Sequence, residues 1–282
     1  MKFGVSMFPT DSSISPVDLA REAEARGFES LWFPEHSHIP VSRRTPMGGV
    51  KNARPLPEHY WHSLDQFVSL AAAASVTKTI KLCTGITLVA QRDPLWLAKE
   101  VATLDLLSGG RMIFGIGYGW NKEEMASHGI EYRLRRAIVR EKVAAMQKLW
   151  TEDEPSFSGR FVKFEPSWAW PKPVQKPYPP IVLGAAAGPR TLQDLASFCD
   201  GWIPLGTRHE IEGKIREVRA AVAGVGRDPV TFEVTVFYAK PDPQSLANLS
   251  AWGIDRAVFG LRSETAATTL PRLDELAALL PG

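Results

Sequence analysis

The sequence predicts an α/β protein that folds as a closed (βα)8 barrel, the TIM-barrel architecture. Eight short apolar segments have the length and residue types of buried strands, and each opens a unit of strand and helix. The units recur about every 35 residues, so that eight of them fill about 250 residues and leave room for insertions. An open doubly wound sheet is the alternative, but eight successive units without an evident edge strand favour closure.

The first unit shows the pattern most clearly. The segment KFGVSMF is typical of a buried strand, and SPVDLAREAEARGF follows it with Ser15 as N-cap, Pro16 at the first helical position and Gly27 as C-cap. The run SLWF is the second strand. The remaining predicted pairs of strand and helix are KLCTGITL with DPLWLAKEVATLDLLSGG, RMIFGIG with RRAIVREKVAAMQKLW, PIVLGA with GPRTLQDLASFC, DGWIPL with HEIEGKIREVRAAVAG, TFEVTVFYA with DPQSLANLSAWG, and RAVFGL with ETAATTLPRLDELAALL.

Two segments do not fit the repeat. Residues 34–61 form a long insertion after the second strand, and residues 152–180, with a predicted hairpin at FSGRFVKF, form another before the fifth strand. Long loops in a compact barrel usually serve function, and Trp168 and Trp170 make the second one too aromatic for disorder. We therefore predict a single domain over residues 1–282, with both excursions covering the barrel mouth.

The composition is that of a soluble globular protein. Of its residues 44% are hydrophobic, and its formal net charge of +2 gives no reason to expect nucleic-acid binding. The only cysteines are Cys83 and Cys199, which is typical of a reducing compartment. No apolar run approaches the ~20 residues needed to cross a membrane, and MKFGVSMF lacks the long apolar middle of a signal peptide. We therefore predict a cytoplasmic protein with no membrane partner.

An acidic and imidazole cluster follows the second strand, where a (βα)8 barrel places its active-site residues. Glu35, His36 and His38 lie together there. One interpretation is a histidine that handles a proton, with the neighbouring carboxylate fixing its tautomer. A zinc site is a second interpretation, weakened by the lack of another ligand cluster. Hydrogen bonding within the long loop is the third, and the residues alone do not decide between them.

Three further strand ends carry small residues. After strand three, Gly85 between Thr84 and Ile86 permits a close backbone approach or a cis peptide, although a simple bulge is also open. After strand four, the alternating Gly115, Gly117 and Gly119 could let a flat ring lie against bare backbone. After strand five, the residues from Gly184 to Gly188 precede a helix that opens with Pro189, which is typical of an anion cradle as well as of ordinary packing.

Basic residues occur in both excursions. Solvated surface charge is their ordinary role, but carboxylates are concentrated in the helices, so an electropositive rim that attracts an anionic ligand is also consistent with the sequence. The residues are Arg43, Arg44, Lys51 and Arg54 in the first excursion, with Lys172 and Lys176 in the second.

From Met1 to about Gly206 the sequence resembles the bacterial luciferase-like oxidoreductase superfamily, and within it the actinobacterial branch that uses coenzyme F-420, a deazaflavin. ATLDLLSGGR is its most specific part. The segments that carry the resemblance are PEHSHIPVSR, KLCTGITLVAQRDPLWLAKEVATLDLLSGGRMIFGIGYGWNKEE, SWAWPKPVQKPYPPIVLGAAAGPRTL and ASFCDGWIPLG.

The resemblance implies a deazaflavin or flavin ring at the barrel mouth. The family's acidic residue and histidine fall on Glu35 and His36, as the catalytic pair, with His36 facing the ring. Its non-prolyl cis peptide falls on Gly85–Ile86. The further cofactor-binding residues that it implies are Thr84, Gly117, Tyr118, Gly119 and Trp120, and Gly184, Ala185, Ala186, Ala187 and Gly188 at the phosphate. Trp120 is a departure, because some sugar-phosphate dehydrogenases of the family have a catalytic acid there; that substrate is not assigned.

The sequence therefore predicts an F-420-dependent oxidoreductase that acts on a small organic molecule and binds no metal. An FMN-dependent monooxygenase is the first alternative, and a protein that binds the cofactor without catalysis is the second. A metal-dependent hydrolase is a more distant one. Members of the family that the sequence resembles are often dimers, so a homodimer is compatible with the sequence.

Overall fold

In the computed structural model, which describes residues 1–207 and 210–281, eight parallel strands close into a barrel, as predicted. Around the barrel the order of strands is β1, β2, β3, β4, β7, β8, β9 and β10. A separate antiparallel pair, β5 and β6, is the hairpin that the sequence predicts before the fifth barrel strand. The strands are β1 Lys2–Ser6, β2 Ser30–Phe33, β3 Lys81–Thr84, β4 Met112–Gly117, β5 Phe157–Ser158, β6 Lys163–Phe164, β7 Ile181–Gly184, β8 Gly201–Ile203, β9 Glu233–Phe237 and β10 Arg256–Gly260.

Helices surround the barrel, and their boundaries follow local capping signals. Ser15 caps the first helix through its side chain, and Gly27, just beyond the end, has the positive φ that favours glycine. His209, in the predicted HEIEGKIREVRAAVAG helix, lies outside the described residues. The helices are α1 Pro16–Ala25, α2 Gln66–Ala74, α3 Pro94–Leu107, α4 Lys122–Ser127, α5 Arg135–Thr151, α6 Pro189–Phe198, α7 Glu212–Gly224, α8 Pro243–Ala251 and α9 Ala266–Ala277. Within the described residues, none of them is long and apolar enough to span a membrane.

Two apolar layers hold the barrel together. The larger one packs the outward faces of the strands against the helices, and the smaller one fills the barrel interior. Near the amino-terminal end of the interior lies Arg256, 1% exposed, whose guanidinium contacts the carboxylates of Glu29 and Glu233. The interior apolar layer consists of Trp32, Cys83, Ile113, Val182, Ile203, Phe237 and Val258.

The first excursion, residues 34–61, contacts the loop that follows β4. Its Arg43 lies over the ring of Trp120, which follows β4, with 5.8 Å from Cζ to the ring centroid. The backbone amides of Arg44 and Thr45 donate to a carboxylate oxygen of Glu123 at 3.0 and 3.2 Å. These contacts fasten the excursion to the loop after β4, at the carboxyl ends of the strands.

The second excursion, residues 152–180, lies elsewhere, and its predicted place over the mouth is wrong. Lys99 on α3 donates to the carbonyl of Trp170, and Gln175 donates to the carbonyl of Met112, where β4 begins. Lys172 donates to the carbonyl of Leu149 at 2.8 Å, near the end of α5. The physical reason is topological: α5 runs antiparallel to the strands, so the segment that leaves it starts and ends at the amino-terminal end. Lys172 is therefore no part of a basic rim at the mouth.

The half-buried carboxylate of Glu24, at this amino-terminal end, makes the stability of the fold depend on pH. Burial by itself raises the pKa of Glu24, but hydrogen bonds from the amides of Ile80, Thr79 and Lys78 outweigh it and lower the pKa from 4.5 to about 2. Because the folded pKa is depressed, the stabilisation is present above about pH 4.5 and is lost as the pH falls towards 2.

We expect Glu24→Gln to lower the free energy of unfolding by about 1 kcal/mol at pH 7, after allowance for solvent screening. Urea denaturation at pH 7 and at pH 3 measures the effect, and the difference between variant and wild type should shrink at the lower pH. Glu22→Gln, on the same helix but paired at the surface with Arg26, is the control. An equal difference at both pH values would show that the carboxylate charge has no such role.

Candidate active site at the barrel mouth

The floor of the mouth is the side chain of Ile86. The Gly85–Ile86 peptide is cis, as the family resemblance implies, and Ile86 packs against the barrel interior. A Cβ on Gly184 would lie 2.9 Å from Cγ2 of Ile86, and a Cβ on Gly117 would overlap its Cδ1. The two glycines, from neighbouring strands β4 and β7, therefore make the room that Ile86 occupies.

The bare-backbone shelf predicted from the glycine string is wrong in its detail, because atoms of neighbouring residues fill the spaces beside the glycines. At Gly115 a Cβ would overlap the carbonyl oxygen of Thr84, and at Gly119, whose φ is +76°, it would overlap Cε of Met125. The Thr84 hydroxyl is also engaged, since it donates to the Gly115 carbonyl at 2.8 Å. A flat ring at the mouth would thus meet the Ile86 side chain rather than exposed backbone.

The side chain of Tyr118 points away from the barrel mouth. It is 6% exposed within the layer between strands and helices, and its hydroxyl donates to the carboxylate of Asp194 on α6. Burial raises the pKa of Tyr118, and the Asp194 carboxylate adds to the rise. Only the backbone of Tyr118 is left to contact a ligand at the mouth.

His36 is the acid–base candidate at the site. It follows β2, its side chain is 5% exposed, and its Nδ1 lies 2.7 Å from Oε2 of Glu124. Glu124 is fully buried in α4, whose N-cap Asn121 accepts from the Glu124 amide. The amide of Ser37 donates to the second oxygen, Oε1, at 3.3 Å. A carboxylate in this position orients the imidazole and stabilises it when it is protonated.

Glu35 does not fix the tautomer of His36, and this part of the predicted pair is wrong. Its Oε1 accepts from the amide of Leu88 at 2.6 Å, and its Oε2 accepts from Nη2 of Arg92 at 2.6 Å. Arg92 also contacts Asp65 and Glu100. Adjacent residues of an extended chain point in opposite directions, so the carboxylate next to the histidine in sequence faces another loop. Glu35 fastens the loop after β2 to the loop after β3.

Aromatic rings enclose His36. Phe8, which follows β1, has its ring centroid 6.3 Å from the His36 centroid, Tyr60 of the first excursion lies at 5.1 Å and Trp120 at 5.7 Å. His59 stacks on Phe8 at 5.0 Å. Burial lowers the pKa of His59, and the positive charge of Arg54 lowers it further. Rings from the loop after β1, the first excursion and the loop after β4 thus converge on one imidazole and enclose it on these sides.

Glu124, Phe8 and Tyr60 were not found from the sequence. Glu124 lies 88 residues from His36, and no local pattern pairs residues at that separation. A usable signal did exist for Glu124: it follows β4 within the GIGYGWNKEE segment, and parallel strand ends meet on one rim. Phe8 follows β1 in the same way.

The residues from Gly184 to Gly188 end at the amino terminus of α6. Gly188 is the N-cap and has no side chain to accept from the first-turn amides, while Ala186 is exposed. Arg136 on α5 reaches the same place: its guanidinium is 3.3 Å from Oγ1 of Thr191 and stacks over Tyr118 at 4.0 Å. A helix amino terminus with an arginine beside it is suited to an anion such as a phosphate.

The histidines form no metal centre in the described part of the chain. Residues 1–207 and 210–281 contain no group of three or more histidine, cysteine, aspartate or glutamate side chains placed to hold a metal ion. His38, the third member of the predicted cluster, instead contacts Ser37, whose hydroxyl lies 2.9 Å from its Nδ1.

Comparisons with known proteins place this geometry in context. Residues 9–249 match the family model described as luciferase-like monooxygenase. An uncharacterized protein of Mycobacterium tuberculosis is 39% identical over 280 residues, which cover 99% of both chains. Two further relatives match over part of their length. One is an F420-dependent hydroxymycolic acid dehydrogenase of M. tuberculosis, 28% identical over 75% of this chain and 54% of its own. The other is an FMNH(2)-dependent dimethylsulfone monooxygenase of Pseudomonas putida, 30% identical over 68% of this chain and 55% of its own.

Solved structures share the fold. A monooxygenase of Streptomyces bottropensis has a TM-score of 0.79 at 21% identity and covers 99% of this chain and 98% of its own. An F420-dependent tetrahydromethanopterin reductase of Methanopyrus kandleri has a TM-score of 0.76 at 17% identity, with the same coverage of 99% and 98%. At these identities the likeness establishes the barrel and no more.

Proposed function

Because the chain belongs to the luciferase-like monooxygenase family, we propose that it is a coenzyme F-420-dependent oxidoreductase that transfers a hydride between the deazaflavin and a small organic molecule. The observation that carries the proposal is the buried pair of His36 and Glu124, with 2.7 Å between Nδ1 and Oε2. A shielded imidazole with a carboxylate behind it is suited to giving or taking the proton that accompanies a hydride.

The residues at the mouth fit such a cofactor. The Ile86 side chain is an apolar floor for a flat ring, and His36 lies on the same rim. The turn that ends at Gly188 offers the amino terminus of α6 to a phosphate, and Arg136 contributes positive charge there. In this proposal Thr84 and Gly85 shape the floor from beneath, Gly119 lets the loop after β4 turn beside Met125, and Ala185, Ala186 and Ala187 line the phosphate turn.

The chain's own residues would act as follows. The cofactor, when bound, supplies or accepts the hydride. His36 gives a proton to the substrate oxygen in reduction and removes it in oxidation, and Glu124 stabilises the protonated imidazole. Phe8, Tyr60 and Trp120 keep water from the reacting atoms and hold the imidazole ring in one orientation.

An FMN-dependent monooxygenase is the second candidate, because the dimethylsulfone monooxygenase of P. putida is 30% identical to this chain. A non-catalytic cofactor-binding protein is a third possibility. The buried acid–base pair favours F-420 over both, since a hydride transfer to oxygen-bearing carbon needs a proton donor and a binding protein needs none.

Parallel titration of the purified protein with F-420 and with FMN tests the proposal, with cofactor fluorescence as the signal. We expect F-420 to bind at least about tenfold more tightly, a difference of about 1.4 kcal/mol. Arg136→Ala should weaken F-420 binding, whereas Arg160→Ala in the second excursion should not. Tighter binding of FMN, with oxygen consumption on reduction, would replace the proposal by the monooxygenase. Binding of F-420 without turnover of any carbonyl or alcohol would favour the binding protein.

Glu124→Gln should lower kcat by about tenfold, a part of the ~10²–10⁴ that the acid–base group itself contributes, with little change in KM. The amide keeps the shape of the side chain but cannot balance the charge of a protonated His36. Steady-state kinetics with F-420 measure the effect. Glu123→Gln is the matched control, because the Glu123 side chain accepts from the Arg44 and Thr45 amides of the first excursion and does not contact His36. Equal losses of kcat in both variants would exclude a specific role for Glu124.

A further inference from the structure

A second group of imidazoles lies on the solvent side of the His36–Glu124 pair. The hydroxyl of Ser37 is 2.9 Å from Nδ1 of His38 and 2.7 Å from Nε2 of His128. The ring centroids of His38 and His128 are 5.5 Å apart, and both residues are exposed. A hydroxyl has one proton, so Ser37 donates to one ring nitrogen and accepts from the other.

Ser37 also connects this surface group to the buried pair. Its backbone amide donates to Oε1 of Glu124 at 3.3 Å, while Oε2 of the same carboxylate lies 2.7 Å from His36. One residue therefore contacts the buried carboxylate through its amide and the two surface imidazoles through its hydroxyl.

A polar cavity of about 400 Å³ adjoins the same residues. His36, Ser37 and His128 all line it, so a single space joins the buried imidazole to a surface one. A cavity with this many polar groups is of the kind that ordered water occupies and bridges. Its other lining residues are Glu35, Ser63, Leu64, Asp65, Gln91 and Arg92.

Charged groups from several parts of the chain act on His128. Burial lowers the pKa of His128, and the nearby His38 lowers it further, while Glu124 and Glu35 oppose the change and Lys142 adds to it. Asp65 and Arg92 are the remaining charged groups at the cavity. His128 thus lies among carboxylates and cations, and an imidazole is a group that can both take and release a proton.

We propose that Ser37, His38 and His128 form a relay that carries protons between solvent and the buried His36–Glu124 pair. Its use in catalysis rests on the proposed function. In reduction of a carbonyl, hydride forms the new C–H bond, the C=O π electrons move to oxygen, and that oxygen takes a proton from His36. His36 is then neutral and one proton must return to it. A proton taken up by His38 passes to the Ser37 oxygen while the Ser37 proton passes to His128. His128 releases a proton into the cavity that His36 also lines, and from there it returns to the His36 ring, so Ser37 ends unchanged.

Proton exchange at the His36 ring, measured by NMR on the protein without cofactor, tests the relay independently of any reaction. In Ser37→Ala the hydroxyl is lost but the amide contact to Glu124 remains, and in His128→Gln the side chain stays polar but cannot carry a proton. We expect both variants to slow the exchange of the His36 ring N–H with water by about tenfold, a part of the ~10²–10⁴ that a positioned proton-transfer group contributes. Ser127→Ala and His62→Gln are the matched controls, because Ser127 donates to the Glu123 carbonyl and His62 pairs with Asp11.

Unchanged exchange in both relay variants would overturn the proposal, and so would an equal change in the control variants. Steady-state turnover with F-420 is a second measurement, in which kcat of the two variants should fall by about tenfold. Added imidazole should restore kcat, because a small buffer can replace a missing proton carrier. A loss that imidazole does not restore would indicate a structural role and also overturn the relay. Slowed exchange in a protein that does not turn over F-420 would support the relay and reject the proposed function.

Discussion

Replacement of His36 by alanine is expected to lower turnover with F-420 by ~10²–10⁴, the usual contribution of a well-placed general acid or base. Substrate would still meet the cofactor, but its oxygen would have to exchange its proton with water in a site that Phe8, Tyr60 and Trp120 shield. Affinity for F-420 should change little, because the Ile86 floor and the turn at Gly188 are separate from the imidazole. Steady-state kinetics and a fluorescence titration measure the two quantities.

Two controls separate chemistry from packing in this experiment. His62→Ala removes an exposed imidazole that pairs with Asp11, and its turnover should equal that of wild type. Added imidazole should restore part of the activity of the His36→Ala variant, because the deletion leaves space for it beside Glu124. If His36→Ala turns over like wild type, then His36 is not the proton-handling group and the proposed mechanism is wrong.

Replacement of Arg256 by methionine is expected to lower the free energy of unfolding by about 3 kcal/mol, as when one partner of a buried ion pair is removed. The Arg256 guanidinium donates to both oxygens of Glu29 at 2.8 and 2.9 Å, and to Glu233 and Thr235 at 3.0 Å each. Although burial opposes its charge, these carboxylates raise the pKa of Arg256. Methionine fills similar space but leaves two carboxylates facing each other without a cation.

Urea denaturation at pH 7 measures this loss, and Arg21→Met, which removes an exposed arginine near Asp18, should change stability by no more than about 0.5 kcal/mol. Adding Glu29→Gln to the Arg256→Met background should recover part of the loss, because it removes one uncompensated charge. An Arg256→Met protein as stable as wild type would mean that the ion cluster is energetically neutral.

The barrel could be predicted from the sequence because its signals are local. The alternation of short apolar runs with capped helices, such as the one that Ser15 and Pro16 begin, is contained within about 35 residues for each unit. The closed order of strands then follows from parallel units joined in sequence. The first excursion is also a local feature, because it leaves β2 at the carboxyl end.

The errors arose where distant parts of the chain decide the outcome. Glu35 is adjacent to His36 in sequence, but the carboxylate that contacts the imidazole is Glu124, supplied by a helix after a different strand. The glycines of β4 indicated open space, and Ile86 of the neighbouring loop fills it. For the second excursion, topology alone gives the right place, because α5 must end at the amino-terminal end of the barrel. The prediction was wrong because it rested on the aromatic content of Trp168 and Trp170.

The burial of both thiols makes the wild-type chain a convenient background for optical labelling. Cys83 lies in the barrel interior beneath Ile86 and Cys199 beneath the helical layer, both 0% exposed, and burial raises the pKa of each well above its usual range. Since the thiolate is the reactive form, maleimide dyes should leave both untouched. A cysteine introduced at the fully exposed Val41 would then carry the single fluorophore of the molecule. A change in its emission on addition of F-420 would show that the first excursion responds to the ligand.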